Sequence, residues 1–462
     1  MVFSIILERF IEHSPIPVMA RSLIERTLNA DRINACFDSV DENPQYTREL
    51  LFSSVFELMS LVVLRAFPAI HSAYKSRKGD IPVSITAVYD KLSGIDVKVS
   101  AELVKSTSVE LANTIHNLKG ENKPLLPGFR VKMLDGNCLE ATEHRLKVLR
   151  GIAAGPLPGK SLVIYDPALE MAIDVIPCEC GHKQERALLH DVRELVSPDD
   201  VMVMDRNFCV QSHLSGIEDK NAFFISRAHK QLVIQSKTPI KQCGSVESGD
   251  VFEQEVSVQV EGEKEVRVWR YITIKLKKNT RDGDPEITLI TNLPAASVKT
   301  KIITELYRKR WSIETMFQEL ESHLHSEINT LGYPKAALFG FCVALVSYNM
   351  MAVIKSAMRS VHGEDKINNN ISGYYIAGEI GRTLEGMSVA ILPEEWGEIS
   401  QLNESEFIQL LLFMSGKIQL DKYTKSRRGP KKKLPPRISD KKMPHVSTAK
   451  LLAKEKLVKK SP

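Results

Sequence analysis

Three acidic residues have settings that suit phosphodiester chemistry: Asp135, Asp205 and Glu314. Asp135 closes the alternating run FRVKML and precedes Gly136. Asp205 closes the apolar run VMVM, and Glu314 sits inside the helical pattern ITELYRKRWSIETMFQELESHL. Hard divalent ions such as magnesium bind carboxylate oxygen, and two of them about 3.5–4 Å apart can grip the attacking and leaving oxygens of a phosphodiester. Strand ends suit such ligands, because the sheet fixes the backbone while the next residue turns away. Each acid also has an ordinary reading. Asp135-Gly136 makes a hairpin turn, Asp205 caps the short helix after it, and Glu314 pairs with Arg310 one turn earlier. What favours the chemical reading is that all three fall in one strand-strand-strand-helix-strand pattern.

The helix adds a constraint. At about 100° per residue, Tyr307, Arg310, Glu314 and Glu321 lie within roughly 60° of one another. Ile303, Leu306, Ile313, Phe317, Leu320 and Leu324 form the adjacent apolar stripe. One side thus anchors the helix while its neighbour presents an aromatic ring, a guanidinium and a carboxylate. Arg310 suits a phosphate oxygen through its planar fork of donors.

The elements that must position these residues are set by periodicity. Residues 1–125 show apolar positions three and four apart, interrupted by Pro15, Pro17, Pro44 and Gly79, and read as helices. They form either a DNA-binding unit or a helical collar. FRVKML, SLVIYD and MAIDVIP read as strands, HKQERALLHDVREL as helix, VMVMD and AFFISRA as further strands. The strand before Asp135 is expected to end there, with Gly136 as a sharp exit. Residues 231–293 alternate at length, as in EVSVQVEGEKEVRVWRYITIKL, and read as antiparallel hairpins. A long helix is expected from a Ser297 cap through Leu324. The run from Ala336 to Ile354 approaches membrane-spanning length, but Ser347, Tyr348 and Asn349 interrupt it, so a buried core helix is expected.

Composition bounds the rest. A chain of 462 residues with 43% hydrophobic content supports two to four compact units. Glu8 interrupts the short apolar start MVFSIILERF and no basic flank precedes it, so a signal peptide is not expected. Seven cysteines without a repeated framework point to a reducing cytoplasm. Cys178, Cys180 and His182, with Cys209 further on, read as thiols near a strand rather than as a zinc site. His182 and Glu185 flank a helix start that could face the carboxylates. The net charge of +5 conceals a split: residues 421–462 carry 15 Lys and Arg against 3 acids, leaving 47 against 54 elsewhere. Arg427, Arg428, Lys431, Lys432 and Lys433 in that tail could bind phosphates through counterion release, or serve only to solubilise the chain.

DGN at 135, DRNF at 205 and YRKRWSIETMFQEL from 307 resemble the DDE transposases of bacterial insertion-sequence family four. Their helix signature is Tyr, two residues, Arg, three residues, Glu, six residues, Lys. Tyr307, Arg310 and Glu314 match it, whereas Glu321 stands where Lys is usual and Asn207 where Gly or Ala is usual. The resemblance covers about residues 125–350. It implies an α/β, ribonuclease H-like mixed-sheet core at 126–230 and 294–360, interrupted by a β-rich insertion at 231–293. Helical regions would lie at 1–125 and 361–420, with a disordered basic tail at 421–462.

The resemblance further implies that Asp135, Asp205 and Glu314 hold two Mg2+ ions, with Mn2+ able to substitute. Cleavage would proceed by cut-and-paste through a hairpin intermediate, with Tyr307 and Arg310 on the terminal phosphates. Partners would be DNA with terminal inverted repeats, target DNA and a second copy of the chain, in a bacterial cytoplasm at the nucleoid. No membrane or small-molecule substrate is expected. Trp269, in the insertion, is either a packed hairpin residue or a platform for a flipped base. An inactive DNA-binding relative, or a nuclease that cuts without joining, are the alternatives.

Overall fold

The computed structural model describes residues 3–40, 49–262, 264, 266–280, 283–426 and 445–460. The N-terminal region is helical, as its periodicity requires: α1 (Ile5–His13), α2 (Pro15–Thr27), α3 (Ala30–Val40), α4 (Phe52–Val63), α5 (Ile70–Ser76), α6 (Ile85–Gly94) and α7 (Val97–Leu118). Ser4, Ser84 and Asp96 cap α1, α6 and α7 through their side chains.

Strands then dominate: β1 (Arg130–Cys138), β2 (Pro156–Leu157), β3 (Lys160–Asp166), β4 (Met171–Cys178), β5 (Asp200–Met204) and β6 (Phe223–Arg227). Between them lie α8 (Leu189–Glu194) and α9 (Gln211–Asp219). β1, β3 and β4 form an antiparallel meander, and β5 and β6 join β1 in parallel. The order β4-β3-β1-β5-β6 is a ribonuclease H-like mixed sheet. Alternation sends Val131, Met133, Val201 and Val203 into the core on one face and Leu134, Met202 and Met204 into that on the other. The second face is covered by Leu189 and Val192 of α8 and Leu214 and Ile217 of α9.

Residues 231–293 continue the same sheet. They supply β7 (Gln235–Ser236), β8 (Lys241–Val246), β9 (Gly249–Gln259), β10 (Val266–Leu276) and β11 (Glu286–Thr291). β11 pairs with β6, extending the order to β11-β10-β9-β7, with β8 also on β9. The sheet thus has ten strands among the described residues.

The chain returns as helices α10 (Thr300–Lys309), α11 (Trp311–His323), α12 (Pro334–His362), α13 (Glu364–Asn370), α14 (Gly373–Ala390), α15 (Pro393–Ser400) and α16 (Glu404–Lys417). α12 is long and apolar enough to cross a membrane, yet its apolar window is wholly buried inside the protein. It packs against α7, α4, α16 and β4, so helices of the N-terminal region help to bury it. Asn349, one of the polar residues interrupting this run, accepts from the Ala172 amide at 2.9 Å and donates to the Ala172 carbonyl at 2.7 Å. It thereby pairs the backbone of edge strand β4 where a bulge interrupts the β3–β4 register. Asn349→Leu should cost about 3 kcal/mol, because two buried backbone groups lose their partners. A fall in the thermal unfolding midpoint of that variant is the measurement. Lys355 and Arg359, further along α12, hold Glu170 in the β3–β4 turn and depress its carboxyl to about 2.

Three expectations need correction. The tail expected to be disordered contains ordered structure: β12 (Val446–Ser447) pairs with β2, and α17 (Thr448–Lys460) comes directly after it. Its start is fixed by burial of Ser447 and Thr448, which the lysine-rich composition around them concealed. The cap of α10 is Lys299 rather than Ser297, whose amide instead bonds to the Pro294 carbonyl. Finally, β1 does not end at Asp135. Pairing with β3 continues to Cys138, so Gly136 is a strand residue and not a turn.

Candidate nucleic-acid cleavage site

β1 and β5 lie side by side in parallel, and their pairing stops at Leu134 and Met204. Asp135 and Asp205 therefore come immediately afterwards at the same end of the sheet. The Asp205 side chain makes no capping bond to the turn after it, which leaves its carboxylate available. Alternation directs Asp135 toward the face covered by α11, where Ser312 touches Met133.

Between α10 and α11 the helix tightens at Arg310. The Arg310 amide bonds to the Tyr307 carbonyl and the Ile313 amide to the Arg310 carbonyl, both three residues apart. Such a 3₁₀ turn rotates the next helical residues away from their places on a regular helix. Glu314 falls in the first turn of α11, where the helix dipole favours a negative charge. Arg65, from the turn after α4, donates to the Glu321 and Leu324 carbonyls at 3.0 and 2.8 Å and so caps the far end of α11.

Arg310 organises the site. Its side chain is only 8% exposed and donates to Asp135 Oδ2 at 2.8 Å and to Glu314 Oε1 at 2.6 Å. Tyr307 Oη makes a longer contact of 3.5 Å to Asp205 Oδ1. All three acids and both expected phosphate-binding residues are therefore brought together. Arg427, Arg428, Lys431, Lys432 and Lys433 lie outside the described residues. Glu321 is exposed on α11.

Burial pushes the Asp135 carboxyl up to about 6; Arg310 and the Gly136 amide oppose this, while Glu314 and Asp205 add to it. Burial, and then the Asp205 charge, raise the Tyr307 hydroxyl to about 12, so it remains a donor at neutral pH. The raised Asp135 value has a stability consequence. The folded protein takes up a proton near pH 6 that the unfolded chain takes up only near its ordinary value of 3.8. The penalty of burying this charge is thus full above pH 6 and disappears as pH falls toward 4. Relative to Asp135→Asn, the wild type should gain on the order of 2 kcal/mol between pH 7.5 and pH 4.5, read from paired melting curves without added metal.

The donor set is right for a hard divalent ion: three carboxylates, one of them disfavoured as an anion chiefly by its burial. Among the described residues, however, no three His, Cys, Asp or Glu side chains are grouped as an ion would need them. Arg310 stands between two of the acids and supplies the positive charge there. The residues fit a divalent ion on condition that this guanidinium gives up at least one carboxylate.

Other expectations resolve plainly. Trp269 is 1% exposed, stacks edge-on to Phe224 at 5.1 Å and donates to Glu218 at 2.9 Å, so it is a packed core residue. Cys178 and Cys209 are buried, and Cys180 meets Ser447 of β12. Sequence reasoning passed over Trp311, which is 61% exposed with the Arg310 guanidinium 5.6 Å from its ring. The available signal was an aromatic residue on the polar side of an amphipathic helix. It also passed over Asn207 as a structural element, taking it only as a departure from a motif.

Comparison with curated protein sequences gave no match. Among solved structures, one similar chain belongs to a cryo-EM structure of a piggyBac transposase synaptic complex with hairpin DNA. It is 11% identical, with 85% of this chain and 86% of that chain covered and a TM-score of 0.39. Residues 159–350 match the family model described as "Transposase DDE domain", a span that holds Asp205, Tyr307, Arg310 and Glu314 but begins after Asp135. The similarity of this chain, over those residues, is to a transposase DDE domain.

Proposed function

We propose that the protein is a DNA transposase of the kind found in bacterial insertion-sequence family four, cutting and joining DNA at the ends of its element. The observation that carries this reading is the meeting of Asp135 and Glu314 on one buried guanidinium, with Asp205 linked through Tyr307 beside them. The transposase DDE domain match supports it from sequence.

DDE transposases use divalent ions, and here Asp135, Asp205 and Glu314 would hold Mg2+, or Mn2+ in its place. Bound there, such ions supply Lewis-acid activation of the phosphodiester and of the attacking oxygen. The chain's own residues do the rest. Arg310 moves from carboxylate to phosphate, for which its fork of donors is equally suited. Tyr307 stays protonated and donates to a phosphate oxygen. Trp311 offers an exposed ring beside Arg310 on which an unpaired base can stack. The basic tail adds sequence-independent affinity. The reaction is read as cut-and-paste through a hairpin, carried out by a homodimer that pairs two ends in the cytoplasm.

Purified protein with Mg2+ is incubated with labelled DNA bearing the inverted repeats that flank its gene, together with a supercoiled target. Cleavage at the repeat boundary and then covalent joining to target supports the transposase. Cleavage without joining would replace it by a nuclease. Binding without cleavage in either Mg2+ or Mn2+ would replace it by an inactive DNA-binding relative, with Glu321 the first residue to exchange for Lys.

A further inference from the structure

Asp135, inside β1, and Asp205, just past the end of β5, are neighbours, but the backbone ladder between those two strands stops one residue short of them. On the opposite face of the sheet a side-chain connection takes over. Glu185, at the start of the 3₁₀ turn Glu185–Leu188, lays its carboxylate over Gly136. A Cβ on Gly136 would stand 2.3 Å from Glu185 Oε1 and 2.8 Å from its Cδ, closer than real atoms approach. The other oxygen, Oε2, accepts a hydrogen bond from Asn207 Nδ2. The neighbouring Arg186 donates from Nε to the Asn207 main-chain carbonyl at 2.9 Å. The Glu185-Arg186 dipeptide thus bonds Asn207, two residues after Asp205, while its glutamate lies against Gly136, the residue after Asp135.

We propose that Glu185 and Asn207 are positioning residues that set the separation of the Asp135 and Asp205 carboxylates. Glu185 does not join the carboxylates, since Gly136 and Asp135 face opposite sides of the strand. It acts through its packing on the main chain, and a Cβ at position 136 would displace its carboxylate. This also gives a use to Asn207, whose side chain reaches Glu185 where a Gly or Ala has none. The proposal rests on the reading of the three acids as metal-holding, for which ligand placement must be good to about 0.5 Å.

The test titrates Mn2+ against full-length protein without DNA, tracking free Mn2+ by electron paramagnetic resonance, alongside thermal melts. The variants are Glu185→Ala, Glu185→Gln, Asn207→Ala, Gly136→Ala and the Glu185→Ala/Gly136→Ala double, with Asp205→Ala as reference. Glu185→Ala, Asn207→Ala and Gly136→Ala should each weaken Mn2+ binding about 10- to 100-fold, the range for groups that orient ligands. The double variant should be no worse than its singles, and Glu185→Gln should recover part, because its amide oxygen still accepts from Asn207. Wild-type Mn2+ affinity in Glu185→Ala and Asn207→Ala, with Asp205→Ala weakened, would overturn the proposal alone. Losses that only track a lowered melting temperature would also overturn it. Unchanged binding in Asp205→Ala would overturn the reading of the carboxylates, and the proposal with it.

Discussion

Exchanging any one of the three acids for its amide, as Asp135→Asn, Asp205→Asn or Glu314→Gln, should lower cleavage at the repeat boundary by about a thousandfold or more. The exchange keeps the shape of the side chain and removes the charge that a divalent ion requires. Stabilisation of transition-state charge by such an ion is worth several kcal/mol, and each 1.36 kcal/mol is about tenfold in rate. DNA binding should move the other way, because a carboxylate that repels phosphates has been neutralised. Single-turnover cleavage and equilibrium binding, measured on the same preparations, separate the two effects. Variants that retain cleavage within tenfold of the wild type would remove these acids from the chemistry.

Arg310→Ala has the second large effect, and it falls first on stability. The guanidinium is almost buried and shared between Asp135 and Glu314. Its removal leaves two carboxylates close together without a counter-charge, and breaking such a buried pair costs about 3–5 kcal/mol. Part of that cost is relieved by protonation, since the Arg310 charge is the leading influence that holds the Asp135 carboxyl down. The variant should therefore melt closest to wild type in mild acid and farthest from it at pH 8. Added Mn2+ should raise its melting temperature more than that of the wild type, because no guanidinium competes for the acids. Arg310→Lys should recover only part of the loss, since one ammonium does not span two carboxylates as a fork does. An Arg310→Ala protein with the wild-type melting temperature and Mn2+ response would show that the shared ion pair contributes nothing.

Both experiments depend on features that the sequence displayed unevenly. The succession of strands at 130–138, 160–166, 171–178, 200–204 and 223–227 is legible because alternation and short apolar runs report burial directly. Asp205 is legible as a strand end for the same reason. Asp135 is not, because Asp-Gly favours a turn locally and only the partner strand β3 carries β1 beyond it. The tight turn at Arg310 leaves the helical periodicity intact and so is invisible to a wheel, although it rotates Glu314 relative to Tyr307. Glu185 and Asn207 are 22 positions apart and meet only through the fold. Trp269 shows the reverse case: its hairpin was evident, and its burial against Phe224 depended on how that hairpin joined the sheet.

That junction bears on how the gene could be altered. Residues 231–285 look like a cassette inserted between two halves of a core, and trimming them to a short linker is an obvious route to a smaller protein. The β11–β6 ladder argues against it. Excision would strip β11 of its β10 partner and uncover Phe224 and Ile290, which now pack with Trp269 in one core. A raw apolar margin of that kind recruits other chains. A minimised version would therefore fail by aggregation before its chemistry could be measured, unless the new margin were given charged or proline-bearing residues.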